Sequence, residues 1–110
     1  MKTVLKSKLQ KVIVTEASIE YEGSITLDID LMDAMGICEY ERVEVNGATT
    51  DARIVTYVIE GGEGVVGMNG GAARHFKVGD EIHVLAFSII GEIDDWLPSI
   101  VKTDKNNKII

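Results

Sequence analysis

Apolar residues recur at every second position over most of the chain, and the segments between turn signals are short, which predicts strands rather than helices. Lys8 to Thr15 reads as a first strand. Ser24 to Asp28 alternates cleanly, with Ile25, Leu27 and Ile29 on one face and Thr26, Asp28 and Asp30 on the other. A short helix follows: Asp30 is placed to cap it, Leu31, Met32 and Met35 form an apolar stripe, and Gly36 can close it in a left-handed conformation. Arg42 to Val45 is a strand stopped by Asn46-Gly47, and Ala52 to Ile59 carries the strongest strand pattern, ending in Gly61-Gly62-Glu63-Gly64. Val65 to Met68 leads into Asn69-Gly70-Gly71-Ala72-Ala73, and Glu81 to Ile89 follows the turn at Val78-Gly79-Asp80. Short strands at this spacing predict a mainly β fold, a small barrel.

A loose internal similarity supports the barrel. Ala34 to Val45 matches Ala73 to Val84 at a constant offset of 39, and both stretches read helix, turn, strand. Two interleaved units of this kind would close a pseudo-symmetric barrel without exposed edges. After Ile90 the pattern decays, so residues 91–110 read as a tail that is peripheral or packs on a neighbouring subunit, with Trp96 as its anchor.

Composition narrows the class. A chain of 110 residues has room for one domain, 1–110. At this size about 65% of the unfolded surface is buried, so self-association is a natural supplement. The longest strictly apolar run, Val84 to Phe87, is far too short to span a bilayer, and the opening residues lack a signal-peptide apolar segment. With a lone cysteine, Cys38, read as a small buried hydrophobe, these features point to the cytoplasm. The net charge of −7 argues against nucleic acid or an anionic membrane as partner. Yet Lys2, Lys6, Lys8 and Lys11 precede the first acid of the chain, so a basic arm leads an acidic body. That arm reads either as a charged strand edge or partner of the acidic body, or as an anion site.

No standard catalytic signature or phosphate loop is present, and His75 and His83 lack the third ligand and the spacing of a metal site. The Asn69 loop could offer backbone N–H groups to a carboxylate, or be only a turn. Tyr21-Glu22-Gly23-Ser24 is the remaining unusual spot, and it too reads either as a simple connection or as chemistry. If the fold strains the bond and desolvates the hydroxyl, Ser24 can attack the Gly23 carbonyl and exchange the amide for an ester. β-Elimination then breaks the ester, and hydrolysis of the dehydroalanine leaves a pyruvoyl group, a covalent electron sink made by the chain itself.

Taken together, several motifs resemble the bacterial aspartate 1-decarboxylases, small pyruvoyl enzymes that convert L-aspartate to β-alanine and CO2 for pantothenate synthesis. They are the pair Lys8-Leu9, Tyr21 to Ser24, Asp33-Ala34-Met35-Gly36-Ile37, Arg53-Ile54-Val55-Thr56-Tyr57, Asn69 to Arg74 and Val78-Gly79-Asp80. The likeness spans residues 1 to about 90. It implies a six-stranded double-psi β-barrel with short helices, a homotetramer and active sites between subunits.

The resemblance further implies autocatalytic cleavage between Gly23 and Ser24, spontaneous or helped by a maturation factor, giving a β chain 1–23 and an α chain 24–110 that begins with the pyruvoyl group. Thr56 would hold the oxyanion of that step. In turnover the aspartate amine would form a Schiff base with the pyruvoyl carbonyl, with no metal and no pyridoxal phosphate, and Tyr57 would reprotonate the α-carbon. Arg53 and Lys8 would bind the substrate carboxylates, and the backbone of Gly70, Gly71 and Ala72, with Asn69 beside it, would complete the pocket. On a regular strand Arg53 and Tyr57 share a face, whereas Thr56 points to the other. The chain departs from the family's common pattern at Gln10 (histidine in relatives), Asn46 (tryptophan) and Gly71 (alanine). The residues alone leave open an uncleaved barrel serving as a binding module and a pyruvoyl enzyme for another amino acid; the pair Arg53 and Lys8 favours a dicarboxylate.

Overall fold

The computed structural model describes residues 1–92 and 95–110. Its strands are β1 (Lys2–Ile13), β2 (Glu16–Ser18), β3 (Ser24–Asp28), β4 (Arg42–Gly47), β5 (Arg53–Gly61), β6 (Val66–Asn69), β7 (Glu81–Ile90) and β8 (Ser99–Lys102). Between them lie one α-helix, α1 (Ile29–Met35), and a 3-10 turn over Gly70–Arg74. All eight strands form one mixed sheet in the order β2-β6-β3-β5-β4-β7-β1-β8, curled around a common core and not closed by hydrogen bonds between its ends. The fold is mainly β, as the alternation predicts. The six expected strands are all present, and β2 and β8 extend the sheet at either end; at three and four residues, both are too short to show a period.

Inward-facing side chains fill the core. Leu9, Val12, Ile25, Leu27, Val43, Val45, Val58, Met68, Ile82 and Val84 are all essentially inaccessible to water. Each contributes roughly 1.5–3 kcal/mol through the apolar surface removed from solvent. Asp28, rather than Asp30, caps α1: its carboxylate accepts from the Asp30 amide and from the Gly64 amide, both at 2.8 Å. Gly36 closes the helix at φ 71°, where only glycine is unstrained.

The offset of 39 is visible in space. Val45 lies directly opposite Val84 in the antiparallel β4–β7 ladder, and Leu27 lies directly opposite Val66 in the antiparallel β3–β6 ladder. Residues separated by the repeat length thus face each other across both ladders, as a pseudo-twofold axis requires.

Over Ser7 to Gln10 β1 is not a sheet edge, which corrects the edge reading of the basic arm at Lys8, because β8 pairs with it there on the side opposite β7. It carries irregularities between Leu5 and Ser7 and between Leu9 and Val12. At the second, Gln10 and Lys11 together stand against His83, so Leu9 and Val12, three residues apart, both reach the core. Lys6 pairs with Glu41 of the acidic body at 3.2 Å. Cys38 is exposed, contrary to the expectation of a buried thiol, with its Sγ 3.7 Å from Glu41 Oε1.

In the tail, β8 runs parallel to β1, and the Trp96 indole N–H donates to the Leu5 carbonyl at 2.6 Å. Beyond β8, the buried Asn107 amide accepts from Ile13 N–H at 2.8 Å and donates to the Ile13 and Gly64 carbonyls at 2.9 and 3.1 Å. Removing these bonds leaves main-chain groups at the end of β1 unpaired. Asn107→Ala is therefore expected to cost about 2–4 kcal/mol in urea unfolding without abolishing the fold.

Candidate active site

Ser24 opens β3 and is almost completely buried. Directly opposite it on β6 stands Asn69, whose Nδ2 donates to Ser24 Oγ at 2.8 Å and to Thr26 Oγ1 at 2.9 Å. One amide therefore holds two hydroxyls on the outward face of β3. Ser24, Thr26, Tyr57, Ile59 and Asn69 line a cleft of about 450 Å³, with Glu16, Tyr21 and Glu22 at its rim. The Tyr57 ring packs against Tyr40 at a centroid separation of 6.4 Å.

Gly23 lines a different, smaller cleft with Thr56, Gly71, Ala72, Ile54, Val55 and His75. The face problem posed by β5 is thereby resolved without a bulge. Its ladder with β4 is regular, pairing Arg53 with Asn46, Val55 with Glu44 and Tyr57 with Arg42. Tyr57 lines the cleft that holds Ser24, and Thr56 lines the cleft that holds Gly23.

The 3-10 turn sits against the chain leading into that peptide. Gly70 has φ 56°, and a Cβ there would come 2.4 Å from the Tyr21 carbonyl oxygen and 2.7 Å from the Gly23 nitrogen. Both are backbone atoms with little room to move. At Gly71 a Cβ would meet nothing within 4 Å. Gly70→Ala is accordingly expected to displace residues 21–23 and abolish any cleavage at Ser24, whereas Gly71→Ala should be neutral; chain mass on a denaturing gel reads both.

Lys8 and Arg53 line neither cleft. They share the outer face of the β1-β7-β4-β5 stretch, in adjacent rows: Lys8 opposite Leu85, which faces Glu44, and Arg53 opposite Asn46, which faces His83. Three strand spacings, about 14 Å across the strands, and one row along them separate their backbones. Asn46 contributes a buried Oδ1 that has no partner among the described residues. His83 titrates below the usual histidine range, first because burial disfavours its charged form and next because Lys8 and Lys11 repel a proton, with Glu81 acting in the opposite direction.

The family model described as aspartate decarboxylase matches residues 1–110 of this chain. The chain belongs to the aspartate decarboxylase family. Among curated relatives, the aspartate 1-decarboxylase of Exiguobacterium sibiricum is 45% identical over 99% of this chain and 89% of its own length. That of Carboxydothermus hydrogenoformans is 40% identical over 98% and 88%, and that of Caldicellulosiruptor saccharolyticus 45% identical over 97% and 87%. Family membership makes this chain an enzyme, and the match runs through the tail that the sequence motifs do not reach.

Within this aspartate decarboxylase family chain, the residues singled out from sequence divide into three groups. Ser24, Tyr57 and Asn69 meet in one cleft, Gly23, Thr56, Gly71 and Ala72 in another, with Gly70 against the backbone of Tyr21 to Gly23, and Lys8 and Arg53 share a separate face. Thr26 and His83 stand on these faces although no motif marks them as site residues. The alternation of β3 already places Thr26 beside Ser24, two residues away on the same face, whereas nothing local in sequence shows what His83 touches.

Proposed function

We propose that this chain is an aspartate 1-decarboxylase that cleaves itself between Gly23 and Ser24 and works as a cytoplasmic homotetramer, converting L-aspartate to β-alanine and CO2. The observation that carries the reading is the buried Ser24 hydroxyl, held at 2.8 Å by Asn69 at the start of a strand, directly after a glycine pressed against Gly70. A buried hydroxyl with a fixed oxygen is preorganised for attack on the preceding carbonyl. Its surroundings fit the group that would result: Asn69, whose bond to Oγ is freed when that oxygen leaves with Gly23, stays beside the position as a donor for a carbonyl on Ser24 Cα, and Ile59 and Tyr57 line the same cleft.

In self-cleavage, Ser24 Oγ bonds to the Gly23 carbonyl carbon as the peptide C–N bond breaks, giving an ester. Thr56, in the Gly23 cleft, serves the developing oxyanion. Elimination across Ser24 Cα–Cβ expels the Gly23 carboxylate, and hydrolysis releases ammonia to leave the pyruvoyl group. That group supplies an electron sink that allows a carboxylate to leave as CO2.

The chain's own residues do the remainder. Arg53 and Lys8 bind the two carboxylates of aspartate, a local reversal of field in a protein of net charge −7. Tyr57, in the Ser24 cleft, delivers a proton to the α-carbon. Backbone N–H groups of Gly71 and Ala72 complete the pocket.

Two features support an assembly with active sites between subunits. Arg53 and Lys8 stand apart from the Ser24 cleft within one chain. Val55, Phe87, Ile89, Leu97 and Ile100 leave substantial apolar surface exposed.

Intact mass under denaturing conditions tests the proposal. The expected result is two chains, 1–23 and 24–110, the larger lighter by one ammonia than its serine-terminated form. A single full-length mass, with no β-alanine formed from aspartate, overturns it.

A further inference from the structure

We propose that His83 is a positioning residue: its ring nitrogen ties down the bulge in β1 and so fixes Lys8 on the face where substrate carboxylate binds. The inference rests on the reading of Lys8 given above.

The second irregularity of β1 sets two residues, Gln10 and Lys11, against the single residue His83. Such a bulge takes one backbone amide out of the ladder, and the unpaired donor must find another acceptor or lose stability. Here the orphan is the Lys11 N–H. Lys11 adopts φ 60°, an unfavourable conformation for a residue with a side chain, which the surroundings must hold in place. The hold is direct: Lys11 N–H donates to His83 Nδ1 at 3.1 Å.

This bond defines the tautomer. An Nδ1 that accepts a hydrogen bond carries no proton, so in the neutral ring the proton resides on Nε2. Of the influences on the ring, burial and the charges of Lys8 and Lys11 on β1 outweigh that of Glu81 on β7 and favour its neutral form.

Lys8 lies three residues before Lys11, between the two irregularities of β1. Its partner Leu85 and His83 are two apart on β7 and therefore share a face, so the clamped amide and the Lys8 side chain stand on the same side of the sheet. If the bulge relaxed, β1 would slip in register by one residue at this point, and alternation would turn Lys8 away from that face. A side-chain acceptor at position 83 is what prevents the slip.

Three variants of the matured enzyme separate this role from direct contact with substrate. Leucine at 83 removes every acceptor. Asparagine places its oxygen where Nδ1 was, and glutamine places its amide where Nε2 was. His83→Leu is expected to raise the KM for aspartate about five- to tenfold with little change in kcat, and to speed hydrogen exchange of the Lys11 amide at least tenfold. His83→Asn should restore both quantities and His83→Gln neither.

Restoration of KM by glutamine rather than asparagine overturns the proposal in favour of direct contact. So does faster Lys11 exchange with an unchanged KM, or no change in either on losing the ring. A wild-type chain without aspartate decarboxylase activity would instead defeat the functional reading, and Lys11 exchange alone would then decide whether His83 holds the bulge.

Discussion

Ser24→Ala is expected to yield one full-length, folded chain with no aspartate decarboxylase activity. The substitution removes a single oxygen from a site that is already buried, so its structural cost is confined to the partner left behind. Asn69 Nδ2 keeps its bond to Thr26 Oγ1 at 2.9 Å, which limits the loss to about 1 kcal/mol. The chemical cost is total, because without Oγ there is no nucleophile for the Gly23 carbonyl and no precursor of the electron sink. Denaturing mass spectrometry and a β-alanine assay read the two halves of the expectation separately. Measurable decarboxylation by the alanine variant would remove Ser24 from the mechanism altogether.

The second large effect belongs to Tyr57→Phe, which should cleave normally and turn over slowly, with kcat reduced by about 10²–10⁴-fold. Losing the phenol oxygen leaves the Ser24 nucleophile with its bond from Asn69, and Thr56 in the Gly23 cleft, in place. Phenylalanine retains the packing against Tyr40. Unimpaired β-alanine production by the cleaved variant would show that another group protonates the carbon. Impaired cleavage would place the phenol in maturation instead.

The strands of the central fold were legible because each buries one face, and burying one face of a strand writes a period of two into the sequence. Ile82, Val84 and Ala86 against Glu81, His83 and Leu85 are the clearest case. The repeat at offset 39 was legible only as a faint likeness, yet it reports the pairing of Val45 with Val84 and of Leu27 with Val66. What stayed hidden depends on contacts between residues far apart in the chain. Asp28 instead of Asp30 caps the helix because the same carboxylate also reaches the Gly64 amide, 36 residues on. Cys38 looked like a core residue by type, but the turn after α1 carries it outward. The bulge at Gln10 and Lys11 breaks the alternation that would otherwise reveal it, and its clamp, His83, lies 72 residues away.

Site residues were legible to different degrees. Ser24, Tyr57 and Asn69 were named from motifs, and the structure brings them into one cleft. The same motifs gave no hint that Gly70 is pressed against the backbone of Tyr21 and Gly23, since that requirement exists only once the two loops meet.

The location of β1 bears on what the proposed self-cleavage would make of the protein. That strand lies inside the sheet, flanked by β7 and β8, and cleavage after Gly23 would sever it from every other element except β2. Before the cut, unfolding and refolding concern one connected chain. Afterwards the native state is a complex of two polypeptides, and once they separate, return to it is a bimolecular encounter that dilution disfavours. β1 would have to be reinserted between β7 and β8, which no longer hold its end. Heat inactivation of the mature enzyme should therefore be one-way, its persistence set by how slowly it opens, while the uncut precursor remains able to recover.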